Sequence, residues 1–121
     1  MYRRLLIVGL LVLIAAACKG VCDALQFHGV GQGDWWNPEV SWRNKWADGV
    51  KANGEAFPLS STLLVFTTDA WHFFQMVQYR CYDAAILVLV WPHYRRWVLA
   101  LIALALFAIH VIGFHSTYST L

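Results

Sequence analysis

Charged residues are scarce in this chain. Asp, Glu, Lys and Arg together make up 13% of its 121 residues, whereas hydrophobic residues make up 60%. Soluble domains carry about 25% charged residues, so this chain has few groups to place in water and its composition favours a membrane. The net charge is +2 and no run of Lys and Arg occurs, which gives no reason to expect a nucleic-acid partner.

Cysteines are few, and the common catalytic motifs are missing. Cys18, Cys22 and Cys81 are too few for a disulfide framework and lack the CxxC spacing of a zinc ribbon. We expect all three to be small buried hydrophobic side chains. The sequence contains no GxSxG, P-loop, dinucleotide-binding or HExxH motif, so it has none of the signatures of common soluble enzymes.

Three apolar stretches are long enough to cross a bilayer, which takes about 20 helical residues. They cover roughly residues 5–27, 69–91 and 97–115. We therefore predict an all-α membrane protein with three transmembrane helices in a single membrane domain, residues 1–121. A Trp-rich external loop, 28–68, joins the first two spans. A short cytoplasmic turn, 92–96, joins the last two because Pro92 ends a helix.

The first apolar stretch has two further interpretations. Its arginine pair and the apolar run that follows also resemble a signal peptide. The sequence "IAAAC", which ends at Cys18, is a poor version of a lipoprotein cleavage site. We favour an uncleaved span because Lys19 and Asp23 are spaced i,i+4 and can neutralise each other inside a continuing helix. A cleaved signal peptide and a lipoprotein are the alternatives.

Two arginine pairs predict the orientation. Arg3 and Arg4 precede the first span, and Arg95 and Arg96 lie between the second and third. Three spans place both pairs in the cytoplasm, as the positive-inside rule requires. We therefore predict a multi-pass protein of the inner (cytoplasmic) membrane, with its N-terminus in the cytoplasm and its C-terminus outside.

The external loop is rich in tryptophan. We expect four rings to form an interfacial aromatic belt, with a stacking platform for a ligand as the alternative; these are Trp35, Trp36, Trp42 and Trp46. The segment from Phe57 to Thr68 is either extended or the start of a longer helix, because its short apolar run has no decisive period. Asp69 is suited to cap the helix that follows.

Ionisable residues form one stripe on the second span. At 100° per residue, an arc of about 80° contains all four of them; they are Asp69, His72, Arg80 and Asp83. A charge in a bilayer is costly, so this stripe should face protein or water. We predict a buried polar network in which it meets Lys19, Asp23 and Gln26 of the first span.

The same residues are also suited to metal binding or proton transfer. Three predicted helices bring Asp and His to one level near the outer interface, where such side chains can bind a divalent metal or relay a proton. The metal-ligand candidates are His28, Asp69, His72 and His110, and the catalytic candidates are Asp69, His72 and Asp23. A purely structural network is the favoured interpretation, because buried polar groups commonly only fix helix packing.

Three motifs, "WWNPEVSWRNKW", "DALQFH" and "TDAWHFFQ", resemble segments of small membrane proteins from bacteria and their phages. The resemblance covers most of residues 23–75. It implies that these motifs belong together, and it brings no activity and no site residue.

The favoured function is that of an accessory or interaction protein in a larger membrane assembly or a homo-oligomer. The first alternative is a membrane-embedded enzyme with a His/Asp site near the outer leaflet. The second is a proton- or ion-conducting element.

Overall fold

The protein is all-α. The computed structural model describes residues 2–29 and 31–118, with side chains as far as Gly113; residues 119–121, predicted to be external, lie outside this range. It contains three α-helices: α1 (Tyr2–His28), α2 (Ala70–Val90) and α3 (Arg96–Tyr118). No strand forms among the described residues, where a single bridge joins Trp46 and Glu55. The all-α prediction is therefore confirmed.

Two of the helices are long and apolar enough to cross a membrane. These are α1 and the Arg96–Gly113 part of α3, and only 17% and 6% of their apolar windows are buried. A core helix of a soluble domain would be mostly buried, so neither helix fills that role here. The 21 residues of α2 include several polar side chains, so its crossing of a membrane stays a prediction.

The chain divides into two compact units, residues 13–81 and residues 2–12 with 82–121. In the first unit α1 buries one stripe of small and apolar side chains, Ala15, Cys18, Cys22 and Leu25. The Cys22 thiol lies 3.6 Å from the carbonyl oxygen of Trp71 in α2. Small residues allow such close approach of two helices. All three cysteines are buried and free, as predicted.

The segment between α1 and α2 is a series of turns and short 3₁₀ helices. The 3₁₀ helices cover Ser41–Lys45, Ala47–Gly49, Lys51–Asn53 and Val65–Thr67. The stretch from Phe57 to Thr68 is thus neither extended nor part of a long helix, but consists of turns and one 3₁₀ helix.

Glu55 holds part of this segment together. Its carboxylate accepts hydrogen bonds from the amide and hydroxyl of Ser61 and from the amide of Leu59. The bonds from Ser61 lower the pKa of Glu55 below its ordinary value. The hydroxyl of Ser60 donates to the carbonyl of Lys45 at 2.7 Å, so these turns are fixed by their own polar groups.

In the second unit, α2 ends in a 3₁₀ turn, Trp91–His93, which contains Pro92. After this turn α3 begins at Arg96, and its first amides bond to the carbonyl of Arg95. The break between the two helices lies near the predicted turn at 92–96, since proline cannot continue the preceding helix.

Gly31 supplies a test of how the segment between α1 and α2 packs. Gly31 and Gly33 both have a positive φ, 98° and 86°, which a side chain tolerates poorly. A Cβ at Gly31 would lie 2.6 Å from the Cβ of Trp36, whereas a Cβ at Gly33 would meet nothing within 4 Å.

We therefore expect Gly31→Ala to lower the free energy of unfolding by about 1–3 kcal/mol more than Gly33→Ala, because only the first adds overpacking to backbone strain. Chemical denaturation in detergent micelles measures both values. Equal losses in the two variants would show that Trp36 does not pack on Gly31.

Candidate functional site

The candidate site is built around Asp69, which precedes α2 and caps it. Its carbonyl oxygen accepts the amide of Phe73 at 3.1 Å, and its Oδ1 accepts the amide of His72 at 2.9 Å. A helix leaves its first amides without partners, and an aspartate at this position supplies one. The predicted cap at Asp69 is confirmed.

The second carboxylate oxygen of Asp69 binds side chains. The Nδ1 atom of His72 lies 2.7 Å from Oδ2, and the hydroxyl of Thr68 donates to the same oxygen at 3.1 Å. Burial raises the pKa of Asp69, but the hydrogen bonds from His72 and Thr68 outweigh it and hold the pKa below its ordinary value. Asp69 is 2% exposed, so the ionised carboxylate is stabilised by these bonds rather than by water.

Three long-range hydrogen bonds join the segment between α1 and α2 to this helix start. The amide of Ala70 donates to the carbonyl of Trp35 at 2.9 Å, and the indole of Trp35 donates to the carbonyl of Thr67 at 3.2 Å. The side-chain amide of Asn44 donates to the carbonyl of Thr68 at 2.9 Å. The same few residues therefore start α2 and anchor the segment before it.

Two of the four predicted belt tryptophans pack on α2. The ring centroid of Trp35 lies 5.9 Å from that of Phe73, and the centroid of Trp36 lies 5.8 Å from that of Phe74. The two indoles also form an edge-to-face pair with centroids 5.0 Å apart. Such pairs add about 0.5–1.5 kcal/mol each beyond burial, so these rings stabilise the docking.

The other two tryptophans are associated with cations. Trp42 is 48% exposed, its indole donates to the carbonyl of Glu39 at 3.1 Å, and the guanidinium of Arg43 lies 5.3 Å from its centroid. Trp46 has the ammonium groups of Lys45 and Lys51 at 5.9 and 5.7 Å. Trp42 is thus held in one orientation while its ring stays accessible.

A cavity of about 240 Å³ lies beside the Asp69–His72 pair. Its lining consists of Gln26, Pro38, Ser41, Trp42, Asp69, Trp71 and His72. Asp69 orients the imidazole of His72 through Nδ1, which leaves Nε2 as the ring nitrogen available to a bound group. The indoles of Trp42 and Trp71 line the cavity together with this imidazole. The cavity therefore suits an apolar ligand or partner side chain that has one polar group.

The structure separates the predicted polar network into two parts. Asp69 and His72 form a buried pair, as predicted. Lys19 and Asp23 also pair, but their side chains are 56% and 47% exposed, and Gln26 is exposed as well. Gln26 lines the same cavity as Asp69 and His72, whereas the predicted meeting of Lys19 and Asp23 with the stripe on α2 stays a prediction.

The remaining members of the predicted stripe, Arg80 and Asp83, are half-buried on α2.

The proposed metal ligands do not come together as a set. Of the four, Asp69 and His72 are in contact, whereas His28 is exposed at the end of α1 and His110 is half-buried on α3. Across the part of the chain that the structure describes, no group of three His, Cys, Asp or Glu side chains is placed to hold a metal ion. Asp23, a catalytic candidate, bonds to Lys19 instead.

Sequence reasoning missed Asn44, Thr67 and Ser41. Asn44 bonds to Thr68, 24 positions away, and Thr67 accepts a bond from Trp35, 32 positions away. No local sequence pattern marks such contacts. Ser41 is 4% exposed although it lies in a polar stretch, so its burial follows from the folding of the segment rather than from periodicity.

None of the family models, curated proteins or solved structures compared with the chain matches it. No activity of a known protein is therefore transferred to this chain, and its function is inferred from the geometry of the described residues.

We expect Asp69→Ala to lower the free energy of unfolding by about 2–3 kcal/mol, because it removes a helix cap and leaves the amide and the Nδ1 atom of His72 without an acceptor. The matched control is Asp23→Ala, which removes an exposed i,i+4 pair worth about 0.3–0.5 kcal/mol. Denaturant titration in micelles compares them, and a loss for Asp69→Ala as small as the control's would contradict the assigned role.

Proposed function

We propose that the protein is a small polytopic membrane protein that acts as an accessory or interaction subunit. In this proposal α1, α2 and α3 cross the inner membrane, and the segment before α2 lies on the outer face. The bound partner is a larger membrane protein or a second copy of the chain. The surface that binds it is the Trp42–Arg43 surface, defined as these two side chains and the adjoining cavity.

The membrane part of the proposal is supported by exposed apolar surface. Many large hydrophobic side chains of α1 and α3 are exposed, among them Leu6, Leu13, Leu104 and Ile112. Bilayer lipid covers such surface without cost, whereas water does not. The arginines before α1 and before α3 give the orientation with a cytoplasmic N-terminus and an external C-terminus.

The observation that carries the interaction role is the fixed orientation of Trp42. Its indole is bonded to the carbonyl of Glu39 and lies beneath Arg43, yet nearly half of the residue is exposed. Trp and Arg are the residues most enriched among binding hot spots. A side chain that is already ordered loses little conformational entropy on binding.

The alternatives have less support in the geometry. An enzyme needs more than one oriented imidazole, and the carboxylate of Asp69 is already committed to the cap of α2. A conducting path needs its charges inside the protein, whereas the Lys19–Asp23 pair is exposed. The capping role of Asp69 and the exposure of the Lys19–Asp23 pair are both compatible with a protein whose polar groups hold a binding surface in place.

Trp42→Ala tests the proposal. Truncation of a hot-spot tryptophan costs about 2 kcal/mol or more, or roughly 30-fold in affinity. We therefore expect Trp42→Ala to lose stoichiometric co-purification of its partner from native membranes after mild detergent extraction.

The matched control is Trp97→Ala, because Trp97 is also exposed, at 63%, but lies on α3. It should keep the partner, and circular dichroism should show both variants folded. Equal retention of the partner by Trp42→Ala and Trp97→Ala would contradict the assignment of the Trp42–Arg43 surface as the binding surface. A wild-type chain that is monomeric and without a partner in native membranes would contradict the proposed function.

A further inference from the structure

A second cavity lies at the first turn of α1, within the unit that contains residues 2–12 and 82–121. Its volume is about 520 Å³, and its lining residues are Arg3, Arg4, Leu5 and Leu89. The cavity thus combines two guanidinium groups with two leucine side chains, one leucine from α1 and one from α2. This composition matches an amphiphile better than a small polar ligand or an apolar one.

The two guanidinium groups have no protein counter-ion among the described residues. The ion pairs found there are Lys19–Asp23 and His72–Asp69, and neither arginine has a hydrogen-bond partner in that part of the chain. The unit that holds the cavity contains one acidic residue, Asp83. Asp83 precedes Leu89 by six positions, or about 9 Å along α2. The positive charge at the cavity is therefore available to an external anion.

We infer that this cavity binds an anionic phospholipid. Arg3 and Arg4 bind the phosphate, since guanidinium groups form bidentate hydrogen bonds to phosphate oxygens. Leu5 and Leu89 contact the glycerol and the start of an acyl chain. The inference rests on the proposed membrane location, which puts Arg3 and Arg4 at the cytoplasmic leaflet. That leaflet carries the anionic lipids that attract basic residues next to a membrane helix.

The charge of the lipid decides its selectivity. A zwitterionic phosphatidylcholine headgroup brings its own cation next to the phosphate, and that cation is repelled by the arginines. A phosphatidylglycerol headgroup brings no cation. Free phosphate would bind to the arginines alone and would leave the leucine wall without a role.

Native mass spectrometry of the full chain in micelles tests the inference, with phosphatidylglycerol and phosphatidylcholine as probes. We expect one retained phosphatidylglycerol per chain and at least tenfold weaker retention of phosphatidylcholine. Arg3→Gln combined with Arg4→Gln should weaken phosphatidylglycerol binding at least tenfold. Arg3→Lys with Arg4→Lys keeps the charge and should bind at an intermediate level, because lysine lacks the bidentate geometry.

The matched control is Arg95→Gln combined with Arg96→Gln, which removes the same charge from the same unit without touching the cavity. It should retain the lipid. Equal weakening in both double variants would overturn the inference, because net charge alone would then explain binding.

Three further outcomes distinguish the inference from the proposed function on which it rests. Complete displacement of the lipid by millimolar inorganic phosphate would overturn the lipid assignment. A chain that inserts into phosphatidylcholine liposomes but shows no preference for phosphatidylglycerol would overturn this inference and leave the proposed function intact. A chain that fails to insert into liposomes of either composition would overturn both.

Discussion

The first amides of α2 need hydrogen-bond partners, and the packing of the segment between α1 and α2 depends on how they are satisfied. A helix cannot supply these partners itself, and a buried amide without one costs about 1–3 kcal/mol. The amide of Ala70 bonds to the carbonyl of Trp35, and the amide of His72 bonds to the carboxylate of Asp69. The first acceptor lies 35 positions before its donor and the second lies three positions before its donor, so helix capping and segment docking occur together.

The docking determines which side chains are available for binding. Trp35 and Trp36 are committed to Phe73 and Phe74, which leaves Trp42 as the exposed indole with a fixed orientation. The Asp69–His72 pair belongs to the same helix start, because the Asp69 carboxylate binds both the amide and the imidazole of His72. The interaction role proposed above follows from this division between committed and exposed aromatic side chains.

Local patterns predicted much of this structure. The apolar lengths gave the three helices to within a few residues, Pro92 gave the turn, and Asp69 gave the cap, because each depends on neighbouring residues. The closely packed face of α1 was not predicted, since helical periodicity shows which residues share a face but not which face packs. For α1 the packed face contains Ala15 and Cys22, whose size allows close approach, and not the Lys19–Asp23 pair. The contacts of Trp35 and Asn44 span long stretches of chain and have no local signature.

Hydrogen exchange of the α2 amides in lipid nanodiscs tests the central claim most directly. The amides of a free helix N-terminus exchange rapidly, because they have no intrahelical partner. The account predicts that the amides of Ala70 and His72 exchange about as slowly as those in the middle of α2, since both are bonded and shielded. Exchange at the rate of an unstructured peptide at these two positions would contradict the docking of the segment between α1 and α2 on Asp69 and α2.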